Sequence, residues 1–235
     1  MKNPALSEAI PGMSELLSSH PLIRVVNFHN TPHSKADQFD RELASYARNF
    51  SSVNEHELNE YLSTGLWQKA KPGLIVVVYE GYRNGLDVMA PLIERHGFIG
   101  WYFIITGFIN APFAEQATFA RRHHIGMKTS EYADGRYALS WDEIKQLGEK
   151  HVIASHARSH SELSKLDPSV VEREVVGSQE DFVKNLHHPV RAFASLTGPP
   201  HGIHPVQDRL VASAGYDFVF SNFCIQRIAA GDEHA

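Results

Sequence analysis

Two histidines four positions apart, His156 and His160, lie in residues 151–163, which read HVIASHARSHSEL. If this segment is helical, both imidazoles project from one face about one turn apart, where they can share one divalent metal ion with a third ligand from elsewhere. The alternative is a polar helix start with hydrogen-bonded histidines. Apolar residues 152–154 predict a short buried strand just before, and α/β proteins place their sites past such strand ends.

Two further polar side chains directly follow predicted strands. Glu80 comes after the continuous apolar run 74–79, which is typical of a central parallel strand buried on both faces. Burying a carboxylate at that position is unfavourable unless it is paired, bound to a cation, or in contact with solvent or a helix N-terminus. His29 follows the β-branched run 22–28, and it either lines a site or forms hydrogen bonds within a loop.

The length and composition suit one domain. The chain has 235 residues, of which 43% are hydrophobic, which favours one sizeable α/β domain over two small ones. We expect residues 1–20 to form an N-terminal arm and residues 21–235 to form the domain. The net charge is −5, so the chain lacks the excess of positive charge that attracts nucleic acids, and a nucleic acid partner is not expected.

The sequence also carries signals about location. The single cysteine, Cys224, excludes an intramolecular disulfide and is compatible with a reducing compartment. The first 20 residues lack the apolar core of a signal peptide, and no apolar run is long enough to span a bilayer. We therefore expect a cytoplasmic protein without a membrane partner.

Strands and helices alternate along the chain, which indicates parallel strands with covering helices. Capping boxes predict two helix starts, at Asn54 with Glu57 and at Ser140 with Glu143. The predicted strands are residues 22–28, 74–79, 100–105, 152–154, 190–194 and 217–220. The predicted helices are residues 34–49, 54–64, 86–96, 113–123, 140–148, 168–186 and 205–215.

Four segments, in this order, resemble the motifs of the polysaccharide deacetylase family, also called the NodB-homology family of carbohydrate esterases. Residues 23–30, IRVVNFHN, resemble its opening strand, which ends in Tyr-His. Residues 76–107 begin VVVYEGY and resemble the first motif, Thr-Phe-Asp-Asp-Gly-Tyr. Residues 155–163 fit the second motif, His-x-x-x-His-x-x-Leu, and residues 193–202, FASLTGPPHG, resemble the third, Arg-x-Pro-Tyr-Gly.

This resemblance implies a single-domain α/β fold, a distorted (β/α) barrel with seven or eight strands. It also implies one divalent metal ion, zinc by preference, held by Asp-His-His. In that family the metal polarises an acetyl carbonyl and activates a water, an aspartate acts as base, and a late histidine acts as acid. Carried over to this sequence, His156 and His160 are two ligands, and Glu80 stands where the family has its ligand aspartate.

The departures from the family pattern fall on the residues that transfer protons. Tyr79 stands in the position of the base aspartate, and a tyrosine with a pKa near 10 is a poor base at neutral pH. Gly198 stands where the family has the arginine that orients the base, and His201 replaces the third-motif aromatic residue. The late Leu-x-His is absent; the one histidine after Pro205 is His234, in a polar tail.

Three interpretations of the function follow. The first is a metal-dependent hydrolase of a non-peptide carbon–nitrogen bond, which removes acetyl groups from an amino sugar, oligosaccharide or polysaccharide. In that case Glu80, His29 or His201 moves the protons. The alternative is a catalytically impaired relative that binds metal or carbohydrate without turnover. In the third, His156 and His160 are relics that only form hydrogen bonds.

The expected partner is a carbohydrate or a small acetylated amide, and an oligomer is left open. Each candidate for substrate contact also fits a place in the core; the candidates are Tyr82, Trp101, Tyr102, Pro200 and His201. The polar end after Phe223 is also compatible with truncation of a longer barrel.

Overall fold

One eight-stranded sheet organises the computed structural model, which describes residues 22–128 and 130–228. The predicted N-terminal arm (1–20) and His234 lie outside the described residues. The strands are β1 (Ile23–Phe28), β2 (Ser51–Ser52), β3 (Gly73–Glu80), β4 (Gly100–Ile104), β5 (Val152–Ser155), β6 (Ala192–Phe193), β7 (Phe218–Phe220) and β8 (Ile225–Arg227).

The strand order is β1-β3-β4-β5-β6-β7-β8, and β2 pairs with the first residues of β3. All pairs are parallel except β7 with β8, which form an antiparallel hairpin. The sheet curls into a half-barrel with covering helices, so the predicted distorted (β/α) barrel is confirmed. Strand β8 was not predicted, because three residues in a polar segment carry no strand periodicity.

The helices lie in the connections between strands, as the alternation predicts. Two capping boxes are confirmed: Asn54 accepts a hydrogen bond from the Glu57 amide, and Ser140 from the Glu143 amide. The helices are α1 (Ala36–Asn49), α2 (Glu55–Thr64), α3 (Ala90–Arg95), α4 (Thr106–Asn110), α5 (Phe113–Arg122), α6 (Trp141–Gly148), α7 (Pro168–Leu186) and α8 (Pro205–Ser213), with a π-helical turn over Gly85–Met89 before α3.

Strand β3 is the most enclosed part of the sheet. Successive side chains of a strand point to opposite faces, and here both faces are covered. Val76 and Val78 belong to the larger apolar cluster, which includes residues of the covering helices, whereas Ile75 and Val77 belong to the second cluster with Trp101 and Phe220. The prediction of a central strand buried on both faces is therefore confirmed.

The expectation that Trp101 and Tyr102 contact a sugar is corrected by their burial. Trp101 is fully buried, and its indole N–H donates to the Val53 carbonyl at 2.9 Å. Tyr102 is also buried, and its hydroxyl donates to the Gly85 carbonyl at 3.3 Å. A ring enclosed by the core presents no face for stacking, so both residues contribute packing.

Replacing Trp101 tests this assignment to the core. We expect Trp101→Ala to lower the free energy of unfolding by about 3–5 kcal/mol, because it leaves a large cavity. Denaturant unfolding monitored by circular dichroism measures the change. The control is Phe113→Ala, since Phe113 is exposed and its loss should change stability by less than about 0.5 kcal/mol. Equal small losses in both variants would contradict the buried position.

Candidate metal centre

The carboxyl ends of three parallel strands bring the candidate site residues to one rim of the sheet. The pairing register places Glu80 opposite Ile104, and Ile104 opposite Ser155, so that the ends of β3, β4 and β5 are level. His156 follows Ser155 directly, and His29 follows the last residue of β1. Parallel strands thus place residues that are far apart in sequence at a single site.

The two histidines lie in a loop, so the helical interpretation of their spacing is wrong. After β5 the chain makes no helical turn until the short 3-10 segment Leu163–Lys165. Ala157 lies in the left-handed region, with φ of 61°, which redirects the chain between the histidines. The two imidazole centroids are nevertheless only 5.3 Å apart. The loop therefore brings the rings as close together as a metal site requires.

Glu80, His156 and His160 form a compact set of donors. One ligand atom from each lies within 4.8 Å of the other two. The Glu80 side chain is 4% exposed, and its Oε2 is buried with no hydrogen-bond partner among the residues that the structure describes. A buried carboxylate oxygen without a partner is unfavourable, and a divalent cation at this position would satisfy it. The residues present therefore fit one metal ion.

Both histidines are held by their Nδ1 atoms. Nδ1 of His156 lies 2.7 Å from the Ala194 carbonyl oxygen, and Nδ1 of His160 lies 3.1 Å from the His123 carbonyl oxygen. A carbonyl oxygen only accepts, so each Nδ1 donates and each Nε2 keeps its lone pair for a ligand. Burial lowers the pKa of His156 to about 3, which keeps this ring in the neutral form that binds metals.

The backbone at Glu80 adopts a conformation that is uncommon for its residue type. Its φ is 70°, in the left-handed region, and Gly81 follows with φ of 84°. For a residue with a side chain this conformation costs free energy, and it persists only where surrounding contacts enforce it. The chain therefore leaves β3 through two successive residues in the left-handed region, which sets the direction of the Glu80 side chain relative to the strand.

Helix α7 anchors the loop that carries the histidines. Arg158 makes a bidentate ion pair with Asp181, with both nitrogen–oxygen distances at 2.9 Å. Ser159 donates to Glu174 from its amide at 2.6 Å and from its hydroxyl at 2.7 Å. Both acids lie on the same helix, so α7 fixes two of the three residues between His156 and His160.

Gly107 in α4 supports the same loop from the other side. Its amide donates to the Arg158 carbonyl at 2.8 Å. A Cβ atom at this position would lie 2.3 Å from that carbonyl oxygen, closer than two such atoms can approach. The contact therefore requires glycine. Gly107, Arg158 and Asp181 carry no signal of this role in the sequence, because only their tertiary contacts give it to them.

Tyr79 and His29 lie beside Glu80. Their rings are stacked at 5.0 Å and 14°, and the Tyr79 ring is 4.9 Å from that of His156. Burial, with the nearby charge of Glu80, raises the pKa of Tyr79 well above its usual value. The His29 side chain is 61% exposed, and its Nδ1 lies 2.7 Å from Glu80 Oε1, a hydrogen bond that raises the pKa of His29.

The profile of the polysaccharide deacetylase family matches residues 71–219 of this sequence. The chain belongs to the polysaccharide deacetylase family. The matched range contains Glu80, His156 and His160. Among curated proteins, none matches the chain in sequence.

Solved structures of deacetylases share the fold. IcaB from Ammonifex degensii aligns with a TM-score of 0.65 at 16% identity, over 91% of this chain and 89% of that one. A de-N-acetylase from Aggregatibacter actinomycetemcomitans gives 0.64 at 10% identity, over 88% and 91%. The Streptococcus pyogenes deacetylase PplD, solved in complex with acetate, gives 0.60 at 16% identity, over 83% and 79%. At these identities the likeness is one of fold.

The loop after β6 in this deacetylase-family chain contains most of the segment that resembles the third motif, 193–202. It lies against the turn between β7 and β8. A Cβ atom on Gly198 would lie 3.3 Å from Ser221 Cα and 3.4 Å from the Asn222 amide nitrogen. The backbone of the turn thus crowds the position where the family has its arginine. A side chain at position 198 would therefore require the turn to shift by a few tenths of an ångström.

The remaining candidates for proton transfer and substrate contact differ in how far they are exposed. His201 Nε2 is buried and has no hydrogen-bond partner among the described residues, and the roles of His201 in proton transfer and substrate contact stay predictions. Tyr82 is buried, and its hydroxyl donates to the Gly126 carbonyl at 2.6 Å, which makes it a support of the loop after α5. Pro200 is partly exposed and stays a candidate for contact with substrate.

The support from Gly107 can be tested through metal affinity. In Gly107→Ala the added methyl group must displace the Arg158 carbonyl and with it the histidine loop. We expect zinc affinity to fall by about 10- to 100-fold, the usual effect of disturbing residues that orient ligands. Competition with a chromophoric chelator measures it. Gly148→Ala is the control, because its Cβ would make an ordinary 3.5 Å contact with Ile153. Unchanged affinity in Gly107→Ala would contradict this support.

Proposed function

We propose that this chain is a metal-dependent N-deacetylase that hydrolyses the acetamide of an amino sugar in an oligosaccharide or polysaccharide. The observation that carries the proposal is the buried Oε2 of Glu80, which has no hydrogen-bond partner among the described residues, beside two imidazoles whose Nδ1 atoms are engaged by backbone carbonyls, so that Nε2 is the ring atom left for a ligand. Family membership supports the reaction class. In this proposal Glu80, His156 and His160 hold one divalent ion, and zinc suits a site with two imidazoles and one carboxylate.

The reaction requires a carbonyl to be polarised and two protons to be moved. A divalent ion at this site would supply the Lewis acid for the acetyl carbonyl. Water adds its oxygen to that carbonyl carbon and loses a proton, the carbon–nitrogen bond breaks, and the departing nitrogen gains a proton. The products are acetate and a free amine.

His29 is the side chain that we propose for these proton transfers. Its Nδ1 is engaged by Glu80 Oε1, which fixes the ring, and the side chain is 61% exposed, so we assign the proton transfer to Nε2. An imidazole held in this way can accept a proton at Nε2 and return it to a departing amine. Tyr79 holds its proton because burial raises its pKa, so it packs against His29 and does not act as base.

Metal content is the first measurement. We expect the purified protein to contain about one equivalent of zinc or another divalent ion, and His156→Ala/His160→Ala to lose it, because two of the three donors are removed. Glu80→Gln should weaken binding tenfold or more, since a charged ligand becomes neutral. Elemental analysis after dialysis gives the stoichiometry.

The matched control for these metal measurements is His187→Ala/His188→Ala, which removes two exposed histidines outside the metal centre. It should keep the metal of the wild type. Absence of metal from the wild type even after reconstitution, or retention of metal by the double variant at the site, would contradict the proposal.

The division of roles between His29 and Tyr79 gives a second prediction. His29→Gln should lower kcat for acetate release by about a hundredfold or more, the usual contribution of a proton-transfer group, while metal content stays near that of the wild type. Tyr79→Phe keeps the ring stack and removes only a hydroxyl that stays protonated, so we expect kcat within about twofold of wild type. A large loss in Tyr79→Phe with no loss in His29→Gln would reverse the assignment.

The alternative function is binding of metal and carbohydrate without turnover. One observation favours it: Tyr79 and Gly198 replace the family's base and its orienting arginine together, and the β7–β8 turn crowds the space above Gly198. The same assays decide between the two. Metal and sugar binding without acetate release, in wild type and Tyr79→Asp alike, would establish the alternative.

A further inference from the structure

Two loops at the carboxyl rim of the sheet are bonded into one wall. Residues 197–201 follow β6, and residues 221–224 form the turn between β7 and β8; together we call them the rim wall. The Asn222 amide donates to the Gly198 carbonyl at 3.1 Å, and its side chain donates to the Thr197 carbonyl at 3.2 Å. His201 exchanges two hydrogen bonds with the side chain of Gln226, at 2.7 and 3.0 Å.

The turn within the rim wall fixes an exposed aromatic ring. The Ser221 hydroxyl accepts from the amides of Phe223 and Cys224, at 3.1 and 2.9 Å, and donates to the Cys224 carbonyl at 2.8 Å. Phe223 stands at the tip of this bonded turn and is 82% exposed, the largest fraction among the exposed large apolar side chains of the described residues. An exposed phenylalanine on a bonded turn is a stacking surface that needs little ordering on binding.

The rim wall lies on the same rim as the metal centre. It follows β6 and β7, which run parallel to β5, so its segments leave the sheet at the end where His156 lies. The Ala194 carbonyl that orients His156 is four residues before Gly198, a chain length of at most about 14 Å. A chain molecule with one unit at the metal centre can therefore extend onto the rim wall.

The chemistry of the rim wall indicates an uncharged partner. Its residues are Thr, Gly, Pro, Pro and His in the first segment and Ser, Asn, Phe and Cys in the second, without an acidic side chain, a lysine or an arginine. The rim wall therefore offers no acidic, lysine or arginine side chain that could pair with a charged peptide or a nucleic acid. An N-acetylated sugar is neutral and combines apolar C–H faces, which stack on aromatic rings, with hydroxyls and amides for polar groups.

We propose that the rim wall is a carbohydrate subsite in which Phe223 stacks against a sugar neighbouring the one at the metal centre, so that the protein selects oligomers over single sugars. This proposal rests on the proposed function for the identity of the sugar. It assigns to Phe223 and the β7–β8 turn a role in choosing the substrate by its length.

Equilibrium binding tests the subsite without requiring turnover. The probes are N-acetylglucosamine and its β-1,4- and β-1,6-linked hexamers, added to the full chain with and without zinc and followed by isothermal titration or protein NMR. We expect at least one hexamer to bind more tightly than the monosaccharide. Phe223→Ala should weaken hexamer binding by roughly tenfold and leave monosaccharide binding unchanged, because it removes only the distant stacking contact.

Two further variants separate stacking from general disturbance of the surface. Phe223→Trp keeps an aromatic face and should keep hexamer binding. Phe113→Ala removes another exposed phenylalanine, at the start of α5, and should change neither Kd. Circular dichroism checks that the variants fold, which the exposure of both rings favours.

The outcomes distinguish this proposal from the proposed function. Hexamer binding that is unchanged in Phe223→Ala, or a wild type that binds no hexamer more tightly than the monosaccharide, would overturn the subsite. Hexamer binding that depends on Phe223 in a protein that releases no acetate would support the subsite and overturn only the deacetylase activity. Acetate release that does not depend on Phe223 for either hexamer would support the deacetylase activity and overturn the subsite.

Discussion

The carboxylate of Glu80 is the constraint around which the rest of the structure is arranged. It lies at the end of β3, the strand buried on both faces, and within the described part of the chain its Oε2 has no hydrogen-bond partner. The fold tolerates this unfavourable group together with a left-handed backbone at the same residue. Such a combination is understandable when a cation completes the site, because the cation supplies the missing partner and uses the carboxylate as a ligand.

The surrounding structure serves to hold the other two donors in place. His156 and His160 are each oriented by a backbone carbonyl, and α7 holds the residues between them through Asp181 and Glu174. Ligands that are fixed before binding lose little conformational freedom when the ion arrives. The site is thus preorganised by a helix that contributes no ligand of its own.

The chain combines three side chains that could hold one metal ion with departures from the family's motifs in the sequence around them. Tyr79 packs between two imidazoles in the position of the family's base, and the β7–β8 turn crowds the position of the family's arginine. The same turn carries Phe223, and the same tyrosine supports the ring of His29.

The sequence by itself determined the class of fold, the capping boxes at Asn54 and Ser140, and the identity of the three metal-binding candidates. These follow from local patterns, namely apolar runs, helix starts and short motifs. Only the tertiary structure decided that the histidines lie in a loop, that Trp101 belongs to the core, and that the turn after β7 closes on Gly198. The carbonyls that orient the histidines are 38 and 37 positions away in the chain, and any residue type supplies a carbonyl. Contacts made by backbone atoms across such separations leave no signature in a sequence, because the folded sheet alone brings them together.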